Sequence, residues 1–235
     1  DPDGTLIDPH GGARDLKDGV LRHVGPAFVE DPVRILRVAR FAARFDFRLA
    51  NATLELMRAM VQAGETTALV AERVWQEVSR GLMEQAPQRM LRVLHACGLL
   101  GQWLPELALA WNVAPGVPVP AGLAPADAAT REVEAALAHA AATGLALEAR
   151  FALLAFALPA HDESAARALA ARLRASNECR DALLLAARAG QEALEIGPGS
   201  DAAKALSLIE ASDALRRPQR LRSLLATCDC IQVAR

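Results

Sequence analysis

Four arginines recur at Arg34, Arg37, Arg40 and Arg44, with one acid, Asp31, three residues ahead of the first. At about 100° per residue they fall within roughly a third of a helix circumference, while Ile35, Leu36, Val38, Ala39 and Ala43 occupy most of the rest. One flank buries and the other carries charge. With Arg48 the segment holds five arginines against one acid, Asp46, a patch suited to phosphate groups. The same spacing also fits a plainer role, in which Asp31 caps the helix, Arg34 is its i,i+3 ion-pair partner and the later arginines are solvated.

The element that would position these side chains announces its own start. Asp31 is a good N-cap, and Pro32 suits the first helical position, where a missing N–H costs nothing. Further helices are predicted from apolar positions at helical spacing in Thr53–Met60 and around Val74 and Val78. Beyond Pro105 the Pro and Gly frequency rises through Ala114–Gly122, which reads as a linker or long loop. Residues 131–142, 148–158, 164–174, 178–189 and 202–209 then read as helices whose Ala-rich faces favour close packing over a defined pocket.

Composition bounds the rest. The chain has 235 residues, 52% of them hydrophobic, and leans on Ala and Leu, both strong helix formers. A mainly α fold is predicted. No run of about 18 apolar residues could span a bilayer, and the first residues are unlike a secretory signal, so no membrane partner and a cytoplasmic location are expected. The net charge is −2, so affinity for nucleic acid must be local rather than a bulk property. Arg outnumbers Lys by 24 to 2, which suits bidentate phosphate contacts and equally reflects coding bias. Cys97, Cys179, Cys228 and Cys230 lack the paired spacing of a zinc ribbon, and the five histidines are scattered, so no metal site is expected.

Several ordered segments resemble the bacterial CCA-adding tRNA nucleotidyltransferases and their poly(A) polymerase relatives (class II). They are Leu6-Ile7-Asp8-Pro9-His10-Gly11-Gly12-Ala13-Arg14-Asp15-Leu16, Val20-Leu21-Arg22-His23-Val24, and Glu30-Asp31-Pro32-Val33-Arg34, which matches the family's EDxxR signature. Arg37 to Phe45, Glu72-Arg73-Val74-Trp75-Gln76-Glu77, Arg92 to Gly98 and Leu104-Pro105-Glu106 follow in the family's order. The resemblance is strong to about residue 110 and returns more weakly in residues 173–181 and 216–220.

What it implies is template-independent addition of CTP and ATP to the 3′ end of tRNA, with Asp31 and Arg34 reading the incoming base and Arg37 close to the nucleotide. The chemistry is intelligible, because an ionised Asp only accepts hydrogen bonds and an Arg only donates them. The amino group at adenine N6 or cytosine N4 would donate to Asp31, and adenine N1 or cytosine N3 would accept from Arg34. Guanine and uracil present the reverse order. Each contact left unsatisfied costs about 1–3 kcal/mol, or roughly one to two decades of discrimination. Arg37, one turn on, suits triphosphate or ribose oxygens. Arg40 and Arg44 are candidate RNA or phosphate contacts, and Glu72, Arg73 and Glu77 are expected to brace the reader helix or touch nucleotide.

The resemblance also divides the chain. Residues 1–24 correspond to the end of the nucleotidyltransferase head, a short β remnant with Gly11-Gly12 reversing the backbone. Residues 25–85 correspond to a multi-helical neck and 86–235 to a helical body and tail. The family's metal-binding Asp-x-Asp would lie upstream of this segment; Asp1-Pro2-Asp3 has the right letters, but Asp3-Gly4-Thr5-Leu6-Ile7-Asp8 corresponds to a late head strand, so it is given no metal role. The chain is therefore expected to be a portion lacking the catalytic head, with Mg²⁺ held by that head and no turnover from this chain alone. Some family members carry a His-Asp metal-dependent phosphohydrolase module in the body. Here Arg150–Leu158 is apolar where His-Asp would stand, Leu123–Asp127 departs from the upstream motif, and His161-Asp162 reads as a helix cap. Two alternatives remain open: an A-adding enzyme or poly(A) polymerase of the same family, and a non-catalytic helical RNA-binding or adaptor module in which Asp31 is only a cap.

Overall fold

The computed structural model describes residues 6–108, 110, 128–159, 162–197 and 201–235. The Pro- and Gly-rich stretch 114–122, residues 123–127 and His161 lie outside the described residues. Thirteen α-helices are formed among those described. The first, α1 (Gly12–Lys17), opens behind Gly11 at φ +70°, a left-handed conformation that glycine adopts without strain. The Asp8 carboxylate caps it by accepting from the N–H groups of Gly12 and Ala13 at 2.7 and 2.9 Å.

A short strand β1 (Val20–Leu21) follows and pairs in parallel with β2 (Arg48–Leu49), in register Val20 to Arg48 and Leu21 to Leu49. The partner strand of this β element thus lies beyond residue 24. Between the strands run a 3₁₀ turn, Pro26–Glu30, and α2 (Val33–Phe45). Then come α3 (Asn51–Gln62), α4 (Ala71–Leu82), α5 (Pro87–Ala96), α6 (Leu99–Trp103) and α7 (Pro105–Ala108). The apolar flank of α2, including Ile35, Leu36, Ala39 and Ala43, is buried against α4 and α5.

The body contains α8 (Ala128–Ala142), α9 (Leu147–Ala152), α10 (Glu163–Leu173), α11 (Asn177–Glu195), α12 (Ala202–Ala211) and α13 (Pro218–Ala234). The helix expected over 148–158 is α only to Ala152 and tightens to 3₁₀ over Leu153–Ala157. Leu158 is extended at ψ 158°, as the residue before a proline must be. Sequence periodicity missed α13, although Pro218 at its first position is a start signal. α11 packs against α9, α10 and α13, and α4 and α5 join neck to body through α9 and α8.

That joint has two notable contacts. Trp75 of α4 meets Phe151 of α9 edge to face, centroids 5.2 Å apart, a favourable aromatic geometry. Arg150 is buried and donates to the carbonyl oxygens of Leu145 at 2.8 Å, Leu82 at 2.9 Å and Glu84 at 3.2 Å. It thereby satisfies carbonyls left open at the end of α4. No helix among the described residues is long and apolar enough to cross a membrane.

Candidate functional site

Asp31 is extended, at φ −137° and ψ 106°, so the chain turns into α2 immediately after it. The helix begins at Val33, one residue later than the sequence predicts, with Pro32 in the flanking position. Asp31 still closes the helix end: its Oδ1 accepts from the Val33 N–H at 3.0 Å. Its Oδ2 accepts from Arg73 of α4 at 2.8 Å. The Arg73 hydrogen bond, with help from the Val33 N–H and the charges of Arg73 and Arg34, holds Asp31 below the ordinary carboxylate range. It is ionised at neutral pH and its side chain is 35% exposed.

The i,i+3 ion pair expected from the plainer reading is not formed. Arg34 donates through Nη1 to the backbone oxygen of Ala27 in the preceding 3₁₀ turn, and the carboxylate partner is Arg73, 42 residues from Asp31. Five N–H donors make up a guanidinium, so this one bond leaves most of Arg34 uncommitted. Arg37 is exposed on the same stripe and forms no ion pair among the described residues.

Arg40 departs from its expected role as an RNA contact. It donates to Glu77 at 2.7 Å and to Glu84 at 3.3 Å, and its side chain is 12% exposed against 9% for Glu77. Two carboxylates from the α4 side draw it inward, so it ties α2 to α4 and is largely withdrawn from solvent. Arg44 remains exposed, its guanidinium 5.3 Å from the Phe45 ring centroid. Of the three residues expected to brace α2, Arg73 and Glu77 reach it, whereas Glu72 pairs with Arg174 at the end of α10.

The arrangement is thus an ionised acceptor held by Arg73 and, three residues on, a donor-rich guanidinium tethered to the Ala27 oxygen, with the exposed guanidinium of Arg37 three residues further. Pattern alone could not reveal Arg73 and Ala27 as the holders, because one contact spans α2 to α4 and the other is to backbone. In the body, the segment where a His-Asp pair would stand is buried and apolar through Phe151, Leu153 and Leu154. Asp162 accepts from the Ala165 N–H at 2.8 Å as a cap of α10. Among the described residues no three His, Cys, Asp or Glu side chains converge to hold a metal ion.

A family model described as "Probable RNA and SrmB-binding site of polymerase A" matches residues 46–110. A multifunctional CCA protein of Dechloromonas aromatica (strain RCB) is 46% identical over 97% of this chain and 58% of the relative. One from Burkholderia vietnamiensis (strain G4 / LMG 22486) is 47% identical over 97% of this chain and 59% of its own length. The chain therefore spans under three fifths of these relatives. The solved structure of a CCA-adding enzyme with ATP superposes with a TM-score of 0.63 at 22% identity, covering 97% of this chain and 52% of that one. A Thermotoga maritima CCA-adding enzyme complexed with tRNA gives 0.59 at 23%, over 97% and 50%. At those identities the structures show a shared fold.

Proposed function

The chain belongs to the family of the CCA-adding tRNA nucleotidyltransferases and their poly(A) polymerase relatives, and from that premise we propose that it supplies base recognition and tRNA binding for addition of CTP and ATP to tRNA 3′ ends. In this reading Asp31 and Arg34 read the base edge and Arg37 meets triphosphate or ribose oxygens. The observation that carries it is the state of Asp31. Arg73 and the Val33 N–H keep it ionised and fixed, while each carboxylate oxygen retains capacity to accept from an exocyclic amino group.

Preorganisation explains how so few residues could discriminate. A carboxylate locked as an acceptor cannot rotate to present a donor, and Arg34, tethered to the Ala27 oxygen, cannot become an acceptor at any pH of interest. Guanine and uracil would thus meet two mismatches, whereas adenine and cytosine would meet none. Arg40, Glu77 and Arg73 act in this account as positioning residues. Arg44 and the exposed Arg48 are the phosphate contacts that remain once Arg40 is committed to its carboxylates.

Mg²⁺ would neutralise charge on the transferring phosphates and orient the attacking hydroxyl. The described residues of this chain offer no cluster that fits it; the roles proposed for them are selection and binding, and the chain by itself is proposed to be inactive. A tRNA substrate implies a cytoplasmic site of action. Arg34→Ala and Arg37→Ala variants separate the roles when this chain is fused to the remaining portion of the Dechloromonas aromatica relative. Arg34→Ala should erase the preference for ATP and CTP over GTP and UTP, by about tenfold or more, and Arg37→Ala should weaken all four alike. Addition of A alone by the parent would favour the A-adding reading. Unchanged preference in Arg34→Ala would remove Arg34 from base reading.

A further inference from the structure

The body holds a cavity of about 310 Å³ bounded by α9, α11 and α13, within the range of about 300–1,000 Å³ typical of ligand pockets. None of these helices carries Asp31, Arg34 or Arg37. Two segments far apart in sequence converge on it: the start of α11, with Asn177, Glu178 and Asp181, and the start of α13, with Arg217, Gln219 and Arg220. Ala-rich helix faces were expected to leave no defined pocket here, yet the first turns of two long helices open one.

Its charges are unequally committed. Asp181 is engaged by Arg180 at 3.2 Å, and Glu178 sits in the first turn of α11, where the helix dipole favours an acid. Arg217 lies at 3.9 Å from Asp213, a long contact. Arg220 and Glu148 are both half-buried, both line the cavity and form no ion pair among the described residues. α13 opens with no side-chain cap and no acid in its first turn, so the positive end of its dipole adds to Arg217 and Arg220. Buried Leu185 and Leu224, with Ala152, give the cavity an apolar wall.

A strong donor pair, one uncommitted acceptor and an apolar wall are the three parts of a nucleotide site. We propose that this cavity binds a nucleotide unit, its phosphate on Arg217, Arg220 and the start of α13, and an amino-bearing base against Leu185 and Leu224 with its amino group donating to Glu148. The unit is either a free nucleoside monophosphate or a nucleotide within an RNA. This site is distinct from the neck and does not rest on the reading proposed for it.

The test is equilibrium binding of 5′-AMP, 5′-CMP, 5′-UMP and inorganic phosphate to the chain and to Arg220→Ala, Arg220→Lys, Glu148→Gln and Arg34→Ala variants, each checked for an unchanged thermal melt. Arg220→Ala should weaken AMP by at least about tenfold, as loss of a charge-assisted hydrogen bond does, with partial recovery in Arg220→Lys. Glu148→Gln should bring AMP and CMP down to the level of UMP. Arg34→Ala should leave all of this unchanged. Competition by tRNA that depends on Arg220 would identify the source as RNA, and absence of competition a free nucleotide. Phosphate binding as well as AMP with no effect of Glu148→Gln, AMP affinity lost in Arg34→Ala alone, or no binding at all would each overturn the proposal.

Discussion

The α2–α4 region of the neck and the α9–α11 region of the body solve the same packing problem with different materials. In the neck a nearly buried Arg40 is held between Glu77 and Glu84, and Asp31 is gripped by Arg73. In the body small residues let helices close up: the Phe156 ring lies over Gly190, where an added Cβ would stand 2.7 Å from its tip. Charge clamps fix the orientation of particular side chains, whereas small-residue packing fixes only the distance between helices. Asp31 and Arg34 lie in the region where such clamps gather, although the buried Arg150 of α9 makes directional contacts of its own.

Mutations can break that contrast. Phe151→Ala removes a fully buried ring that Trp75 needs at the joint between the two regions, and is expected to cost about 3–5 kcal/mol in denaturant unfolding. Glu77→Ala strips Arg40 of its nearest partner in a largely dry setting and should cost about 3 kcal/mol. The paired Arg40→Met, Glu77→Leu replacement should recover most of that stability while loosening nucleotide preference, which separates the stability of the clamp from its aim. Gly190→Ala gains helix propensity but drives a methyl into the Phe156 ring, and a net loss of about 1–2 kcal/mol is expected from thermal melts.

Two smaller effects sharpen the picture. His95 is buried with Nε2 unpartnered, and burial pushes its pKa below the ordinary value of 6.5, against a smaller opposing pull from Glu134. The unfolded chain therefore takes up the proton first, so stability is full above about pH 6.5 and declines as pH falls through that value. A stability profile from pH 7 to 5 should flatten in His95→Leu. Arg174→Ala breaks an exposed pair with Glu72 and should change stability by under about 1 kcal/mol, with nucleotide preference intact. A shift in preference there would extend the aiming network to α10.

Much of this was legible in the residues. The acid, the proline after it and the arginine stripe mark the start, face and charge of α2, and Asp162 announces the cap of α10. Long-range partners were not legible. Arg40 and Arg44 share one helix stripe in the sequence, yet one is locked by carboxylates 37 and 44 residues away and the other stays in solvent. Asp31 was readable as a cap or as a base reader; in the fold one oxygen closes the helix and the other meets Arg73, a partner the sequence pattern did not offer. The body pocket was missed because helical periodicity says which face buries, not where two helix starts will meet.

The most direct measurement is the four-nucleotide preference of Asp31→Ala in the fused enzyme, taken beside its unfolding free energy. A loss of about 1 kcal/mol from the missing cap is expected, together with loss of the preference for ATP and CTP over GTP and UTP. The same small loss of stability with preference unchanged would make Asp31 a cap alone and contradict its role in base reading.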